Sequence, residues 1–488
     1  MNGHPVPDPA AAKVLGAALR RVGYSEDAVH GMLGDGAYSI DREDVPVGVR
    51  RLPRSRVATV VRLLFLQLRT RTSDVVRALG RRGVEALEAS GLAAVGADVV
   101  PCARVLPIGK LLLASDGYSH EIEDPPDYVA GYTPTSRLCD SLTPRPRVAR
   151  ALDVGTGSGI HALLAASHAE RVVATDVNPR ALAYTQLNAA LNSVSNIEFR
   201  LGHLFEPVAG ETFDLITCNA PYVVSPERRW AYRDGGLSGD EISQRVVREA
   251  AGHLAEEGFA TLLVSWLGED EDDPDARVVA WADATGCDSW ILAVWDADPL
   301  EHAAAWNSHL AGDDGRFGDA LDEWTRYLAE FRAHRVCEGA VILHRQRGPR
   351  HAVRVDSVDE EALGGAGEQI RRAFENRTRL GGLHHHAELL DARLSVAGAM
   401  RLERRLEPRG GTRAVVARTR IQLDDGTHTA VETTARAAEI VASLDGRARL
   451  RELTGGAGRH EVLDLSRELL ELGALRFGDS SGTQRLRR

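Results

Sequence analysis

The sequence predicts an α/β protein. A central, mostly parallel sheet covered on both faces is flanked by a mainly helical N-terminal region and an α+β C-terminal region. Three observations carry this. The chain has 488 residues, more than one ordinary core accommodates, so two or three domains are expected. Between residues 116 and 349, short apolar runs alternate with helical patterns, the signature of strands joined by crossover helices. One of those runs ends in Asp153 and passes straight into a glycine-rich turn and a helix.

In chain order, residues 1–115 read as a helical, substrate-recognising region. Ala10–Val22, Ser25–Leu33 and Val57–Leu68 carry apolar residues at helical spacing. Thr72–Leu79, a glycine, Val84–Ala89 and Gly91 then lead into the β-rich Leu92–Val100. Helix, turn, helix and short hairpin are compatible with a winged-helix-like unit. Residues 116–349 form the second region. Val148–Val154, Arg171–Asp176, Ile197–Leu201, Phe213–Cys218 and Phe259–Ser265 read as buried strands. Ile160–Ser167, Pro179–Leu191 and Ile242–Leu254 read as the helices between them. Trp290–Trp295 and Gly339–His344 complete the set. Residues 350–488 form the third region: a helix over residues 360–376, a hairpin of Arg401–Glu407 with Ala414–Leu423 turned at Pro408–Gly411, and helices over Thr433–Leu444 and Leu463–Leu472. The helix–glycine–strand order of Glu468–Phe477 repeats that of Glu85–Val95. It fits either a second winged-helix-like element or the general habit of helices to end at glycine.

Composition narrows the function classes. The chain is 43% hydrophobic and 26% charged, as a soluble globular protein is. Its five cysteines lie far apart with no C-x-x-C pair, which argues against a zinc knuckle or disulfide framework and fits a reducing cytosol. With no signal-peptide core and no apolar run long enough to span a bilayer, a cytoplasmic protein without a membrane partner is expected. The net charge of −11 weakens the case for a large nucleic-acid footprint. Arg42–Arg82 is the local exception, a basic block with eleven arginines against three carboxylates and a candidate for phosphate contacts.

The strongest local motif is Val148–His161, VARALDVGTGSGIH. Gly155, Gly157 and Gly159 let the backbone approach a ligand, and the helix that follows offers N–H groups at its N-terminus. The spacing is G-x-G-x-G after the acidic Asp153, with Ile160 where a dinucleotide fingerprint has its last glycine. That moves the reading from a dinucleotide to S-adenosylmethionine, with Asp153, Gly155, Thr156, Gly157 and Gly159 at the methionine end. About twenty residues on, the next strand ends in Asp176, placed to accept hydrogen bonds from both ribose hydroxyls, with Asn178 beside it.

The fourth strand of this region runs into Asn219-Ala220-Pro221-Tyr222. This resembles the [DN]-P-P-[FYW] motif of amino-group methyltransferases. An amide or exocyclic amine nitrogen is a poor nucleophile because its lone pair is delocalised. The Asn219 side-chain oxygen and the Ala220 carbonyl can accept its two N–H bonds, which orients it and favours pyramidal geometry. Tyr222 can stack on the flat acceptor. Ala220 replaces the first proline of the motif, and Pro221 still restricts Ala220 to an extended conformation.

Together these residues resemble the class I, Rossmann-like methyltransferases of the small-domain type, especially the release-factor glutamine methyltransferases. The likeness covers about Tyr132 to Arg347. It rests on ALDVGTGSG, DVNPRAL with Asn188, LFEP, NAPY, RDGGLSGD at Arg233–Asp240, and Tyr132-Thr133-Pro134-Thr135, which resembles the segment closing over the cofactor. Where relatives often carry an aspartate near the adenine, this chain has His203, either an adenine contact or a partly buried loop histidine. The resemblance implies methyl transfer to a planar nitrogen, with a protein glutamine-type amide first and an exocyclic base amine in RNA or DNA second. Small-molecule methylation and a non-catalytic cofactor-binding regulator are further alternatives. No metal is expected: His384-His385-His386 has no carboxylate or cysteine partner at suggestive spacing. The late tryptophans read as core, although Trp306 and Trp324 lie in an insertion able to cover the active site.

Overall fold

The computed structural model describes residues 8–118, 125–227, 237–347, 351–359, 363–383, 386–408, 414–454 and 458–478. Its centre is an eight-stranded sheet. The strands are β1 Val148–Val154, β2 Ala169–Asp176, β3 Ile197–Leu201, β4 Phe213–Cys218, β5 Leu254–Gly268, β6 Asp288–Ala297, β7 Arg335–His344 and β8 Val353–Ser357. Their order is β8-β6-β7-β5-β4-β1-β2-β3. The run from β3 to β5 is parallel throughout, β7 is antiparallel to both β5 and β6, and β8 is parallel to β6. The chain leaves β1 towards β2 on one side and returns through β4 on the other. A crevice therefore opens between the carboxyl ends of β1 and β4, the place where open α/β sheets bind ligands.

Side chains alternate across the sheet, so its two faces join different cores. Ala151, Leu215, Phe259 and Leu263 face a core shared with residues 366–475. Leu152, Ile216, Leu262 and Val264 face the helices Glu241–His253 and Ala276–Asp283. The third region thus covers one face of the sheet directly, with Gly367 lying so close to the Thr143 carbonyl that a Cβ there would stand 2.1 Å from its oxygen.

In the N-terminal region short helices and strands alternate. The helix Arg56–Val60 widens into a π turn at Val61–Phe65 where every side chain but Arg62 is buried. Strand Thr70–Arg71, helices Thr72–Leu79 and Arg81–Ala89, and strands Ala93–Val95 and Asp98–Pro101 follow, and Asp98–Pro101 pairs with both other strands. The second helix of the pair does not face outward: Pro9–Val22 packs along it, with Gly83 against Ala18. The hairpin Arg104–Ile108 with Leu111–Ser115 then leads to the central sheet.

Three expectations shift. The third-region helix runs over Ala366–Gly381 instead of 360–376. Left-handed Gly365 starts it, and buried Asn376 is spent on the Leu470 and Leu475 carbonyls rather than ending the helix. Val353–Ser357, assigned by sequence to the third region, joins the central sheet as its edge strand. The hairpin of Met400–Pro408 with Ala414–Leu423 is present, and its turn at residues 409–413 lies outside the described residues. The strand Leu475–Phe477 pairs with Arg393–Val396 and not with a hairpin partner, so the C-terminal helix–glycine–strand unit is not a second winged helix.

Candidate active site

The crevice holds a cavity of about 600 Å³, within the roughly 300–1,000 Å³ of small-molecule sites. Its walls come from the ends of four strands. Gly155–Ser158 follow β1, Asp176–Asn178 follow β2, Gly202–Leu204 follow β3, and Asn219–Val223 follow β4. The segment before β1, including Thr133, Thr135 and Ser136, forms a further side. Of the residues expected at the site, Gly155, Thr156, Gly157, Asp176, Asn178, His203, Asn219, Ala220, Pro221 and Tyr222 therefore share one cavity. Asp153 and Gly159 do not reach it.

Asp153 is fully buried behind the glycine turn. One carboxylate oxygen accepts from the Thr156 hydroxyl at 2.7 Å and the Ala162 N–H at 3.0 Å, and the other from the Thr217 hydroxyl at 2.9 Å. The Asp153 side chain, expected at the methionine end, does not line the cavity. It occupies the helix N-terminus from inside, as a capping anion does, and ties β1, β4 and the turn together. Burial pushes its carboxyl up to about 6. Gly159 is left-handed, and a Cβ there would stand 2.6 Å from the Thr185 methyl, so its task is close packing of turn on helix.

Asp176 organises the turn from the neighbouring strand. It accepts the Gly157 N–H at 2.9 Å on one oxygen and the Asn178 N–H at 2.8 Å on the other. Each oxygen keeps lone-pair capacity towards the cavity. Burial raises its carboxyl above the ordinary aspartate value. The Asn178 side chain caps the helix Pro179–Leu191 through the Arg180 N–H and donates to the Asp127 carbonyl. His203 lines the cavity beside left-handed Leu204.

At the end of β4 the Asn219 amide is steadied by Thr135, its Nδ2 donating to the hydroxyl oxygen at 3.4 Å. Thr135 in turn bonds Thr133, whose hydroxyl caps the helix Pro134–Leu142. This leaves Asn219 Oδ1 as an acceptor for a ligand N–H. Ala220 is buried, and unlike proline it keeps a backbone N–H. A Cβ on Gly155 would lie 3.2 Å from the Ala220 Cβ, so the glycine turn and the loop after β4 are in contact.

Sequence reasoning missed part of the wall. Ile242 and residues 128–131 line the cavity with no motif to mark them, Val177 and Ala181 line it from within the DVNPRAL segment without having been singled out, and Trp306, flagged as an insertion residue, does line it. Trp324 is buried and packs on Val223. Asn188, part of the DVNPRAL likeness, bonds the Ala114 N–H and carbonyl and the Ser158 carbonyl, so it joins the N-terminal hairpin to the glycine turn. Of RDGGLSGD, Arg233–Gly236 lie outside the described residues, as do His384 and His385. Asp240 is buried and accepts the Leu267 N–H and an ion pair from Arg277.

Comparison with known proteins points the same way. Residues 133–266 match the family model described as methyltransferase small domain, and residues 21–103 match one described as a domain of unknown function. The chain is 35% identical over 138 residues to a release factor glutamine methyltransferase of Aquifex aeolicus, covering 25% of this chain and 48% of that protein. It is 37% identical over 129 residues to a putative protein N5-glutamine methyltransferase of Methanocaldococcus jannaschii, covering 25% of this chain and 64% of that protein. A ribosomal protein uL3 glutamine methyltransferase of Bordetella pertussis is 33% identical over 186 residues, covering 33% and 60%. The chain thus spans less than two thirds of the length of each of these relatives. Sequence and geometry agree over this segment: residues 133–266 match the methyltransferase small domain model and lie on a Rossmann-like sheet.

Proposed function

We propose that this chain transfers a methyl group from S-adenosylmethionine to the side-chain amide nitrogen of a glutamine in a protein. The observation that carries it is the Asn219-Ala220-Pro221-Tyr222 loop on the wall of the cavity, with the Asn219 amide steadied so that Oδ1 is left as an acceptor. The names of the similar glutamine methyltransferases support the same acceptor.

The residues present fit the cofactor. Asp176 keeps acceptor capacity for two vicinal hydroxyls, His203 and Leu204 stand beyond it for a base, and the Gly155–Ser158 turn brings backbone to the cavity wall. When bound, S-adenosylmethionine supplies a methyl group on a positively charged sulfur that leaves with the electron pair of the broken bond. Asn219 Oδ1 and the Ala220 carbonyl accept the two N–H bonds of the acceptor amide and hold its lone pair towards the methyl group. Tyr222 supports the amide plane. No strong base is required, because the nitrogen becomes acidic as its new bond forms and its proton passes to water. The free cysteines and the acceptor class fit a cytoplasmic setting.

A second reading, methylation of an exocyclic base amine, is favoured by one observation. Arg54, Arg56, Arg69, Arg71, Arg81 and Arg82 are exposed and make no ion pair among the described residues, as phosphate-contacting residues would. One experiment separates the two. The purified chain is incubated with methyl-labelled S-adenosylmethionine and a cell extract lacking the endogenous enzyme, beside an Asn219→Ala, Tyr222→Ala variant. Label released only by protease, and absent with the variant, is expected. Label released only by nuclease would put the base amine first. Failure to bind the cofactor would overturn the proposal.

A further inference from the structure

Between β6 and β7 the chain inserts two helices, Pro299–Trp306 and Asp314–Glu330, beyond residue 266 where the family match ends. Both are fastened to the segment that follows the acceptor motif. His302 is fully buried, and its Nε2 lies 2.9 Å from the Val224 carbonyl, two residues past Tyr222. A carbonyl can only accept, so the imidazole donates through Nε2. Burial pushes its pKa down to about 4, which keeps the ring neutral. Trp295, Trp306 and Trp324 surround it with ring centres 5.9, 6.5 and 5.6 Å away. Val223 packs on Ala303 and Trp324. At the far end of the same segment, the Gly239 N–H donates to the Tyr327 hydroxyl at 2.7 Å, and the Phe331 ring sits where a Gly239 Cβ would be 2.9 Å from it. The helix pair therefore grips the chain on either side of residues 225–238.

Trp306 carries the grip into the cavity. It is half-buried, lines the same space as Tyr222, Val223 and Ile242, and donates its Nε1–H to Glu338 of β7 at 3.3 Å, which fixes the indole plane. The ends of β1, β2 and β3 supply the side of the cavity suited to the cofactor. Trp306 arrives instead with the end of β4, where the acceptor enters. An indole wall there provides a flat apolar surface for a planar amide on an aliphatic stem.

We propose that the helix pair inserted between β6 and β7 is the acceptor-side wall of the site, with Trp306 a specificity-determining residue and His302 a positioning residue that holds the acceptor loop. This rests on the methyl-transfer reading but not on the identity of the acceptor. The test uses the full chain and whichever macromolecule it labels in extract, purified as substrate. Kinetics are measured beside the dissociation constant for S-adenosylhomocysteine. Trp306→Ala is expected to raise the acceptor KM about tenfold or more, with S-adenosylhomocysteine affinity within about twofold of wild type. His302→Leu, which keeps the volume but loses the donor, is expected to lower kcat about tenfold or more. His302→Gln, which keeps a donor, is expected to recover most of it. If the labelled acceptor is nucleic acid and these shifts persist, the wall stands and the glutamine reading falls. Unchanged KM and kcat in all variants would overturn the proposal. So would cofactor affinity falling in step with acceptor KM, because the wall would then belong to the cofactor.

Discussion

Asp153 illustrates how one side chain can be legible in position and misread in role. Its place before G-x-G-x-G suggests a ligand contact, yet Thr156, Thr217 and the Ala162 N–H take up its oxygens, and it is not among the residues lining the cavity at the strand ends. A carboxyl raised by burial from 3.8 to about 6 titrates inside the fold later than in the unfolded chain. Below both values the two states bind the proton equally. As pH rises from about 4 to 6 the unfolded chain ionises first, so stability falls across that window, by about 3 kcal/mol for two pKa units. Asp153→Asn preserves the acceptor for Thr156 and Ala162 and offers Thr217 a donor. Chemical unfolding of both proteins from pH 4 to 7 should show the difference between them growing in favour of the variant, then levelling above about pH 6. A difference independent of pH would mean the carboxyl does not titrate there.

The elements around the site were the most readable part of the chain. β1, β3 and β4 and the helix Pro179–Leu191 have the bounds their patterns predict, because short runs rich in apolar and β-branched residues, bracketed by turn residues, mark strands. The packing between elements was not readable. Gly159 looks like part of a phosphate-style turn, but its left-handed backbone and its approach to Thr185 make it the seam between turn and helix. Gly159→Ala should cost about 2–4 kcal/mol from backbone strain and overpacking together and weaken cofactor binding. In a double-mutant cycle, Gly159→Ala with Thr185→Ala should be less destabilised than the sum of the single changes, since the second removes the obstructing methyl group. Strict additivity would show that the two residues do not compete for space.

Across the whole molecule, the N-terminal region and the methyltransferase domain share buried polar links as well as a core. Asp116, at the end of the N-terminal hairpin, pairs with the buried Arg180 guanidinium and accepts the Tyr184 hydroxyl and the Val129 N–H, each at 2.8 Å. Asn188 and Asn192 bond backbone groups of the strand Leu111–Ser115, and Gly16 meets the Leu191 carbonyl. Asp116→Ala removes the carboxylate paired with the buried Arg180 guanidinium and should cost about 3–5 kcal/mol. Because Arg180 and Tyr184 lie on the helix capped by Asn178, thermal melts should show a lower Tm together with weaker binding of S-adenosylhomocysteine. A lower Tm with unaltered cofactor affinity would show that the hairpin only anchors the N-terminal region.

The sequence by itself determined the α/β class, the order of β1 to β7, the glycine turn, the place of Asp176 and the Asn219-Ala220-Pro221-Tyr222 loop after β4. Each of these is written in local pattern: apolar runs, glycine spacing and a short motif at a strand end. Only the tertiary structure decided that Asp153 faces inward, that Val353–Ser357 completes the sheet, that the helix Arg81–Ala89 is covered by Pro9–Val22, and that Trp306 lines the cavity. Those outcomes depend on which surfaces meet across long stretches of chain. Residues 84 positions apart, such as Thr135 and Asn219, leave no periodic trace of their contact, because contact is a property of the folded packing and not of either segment alone.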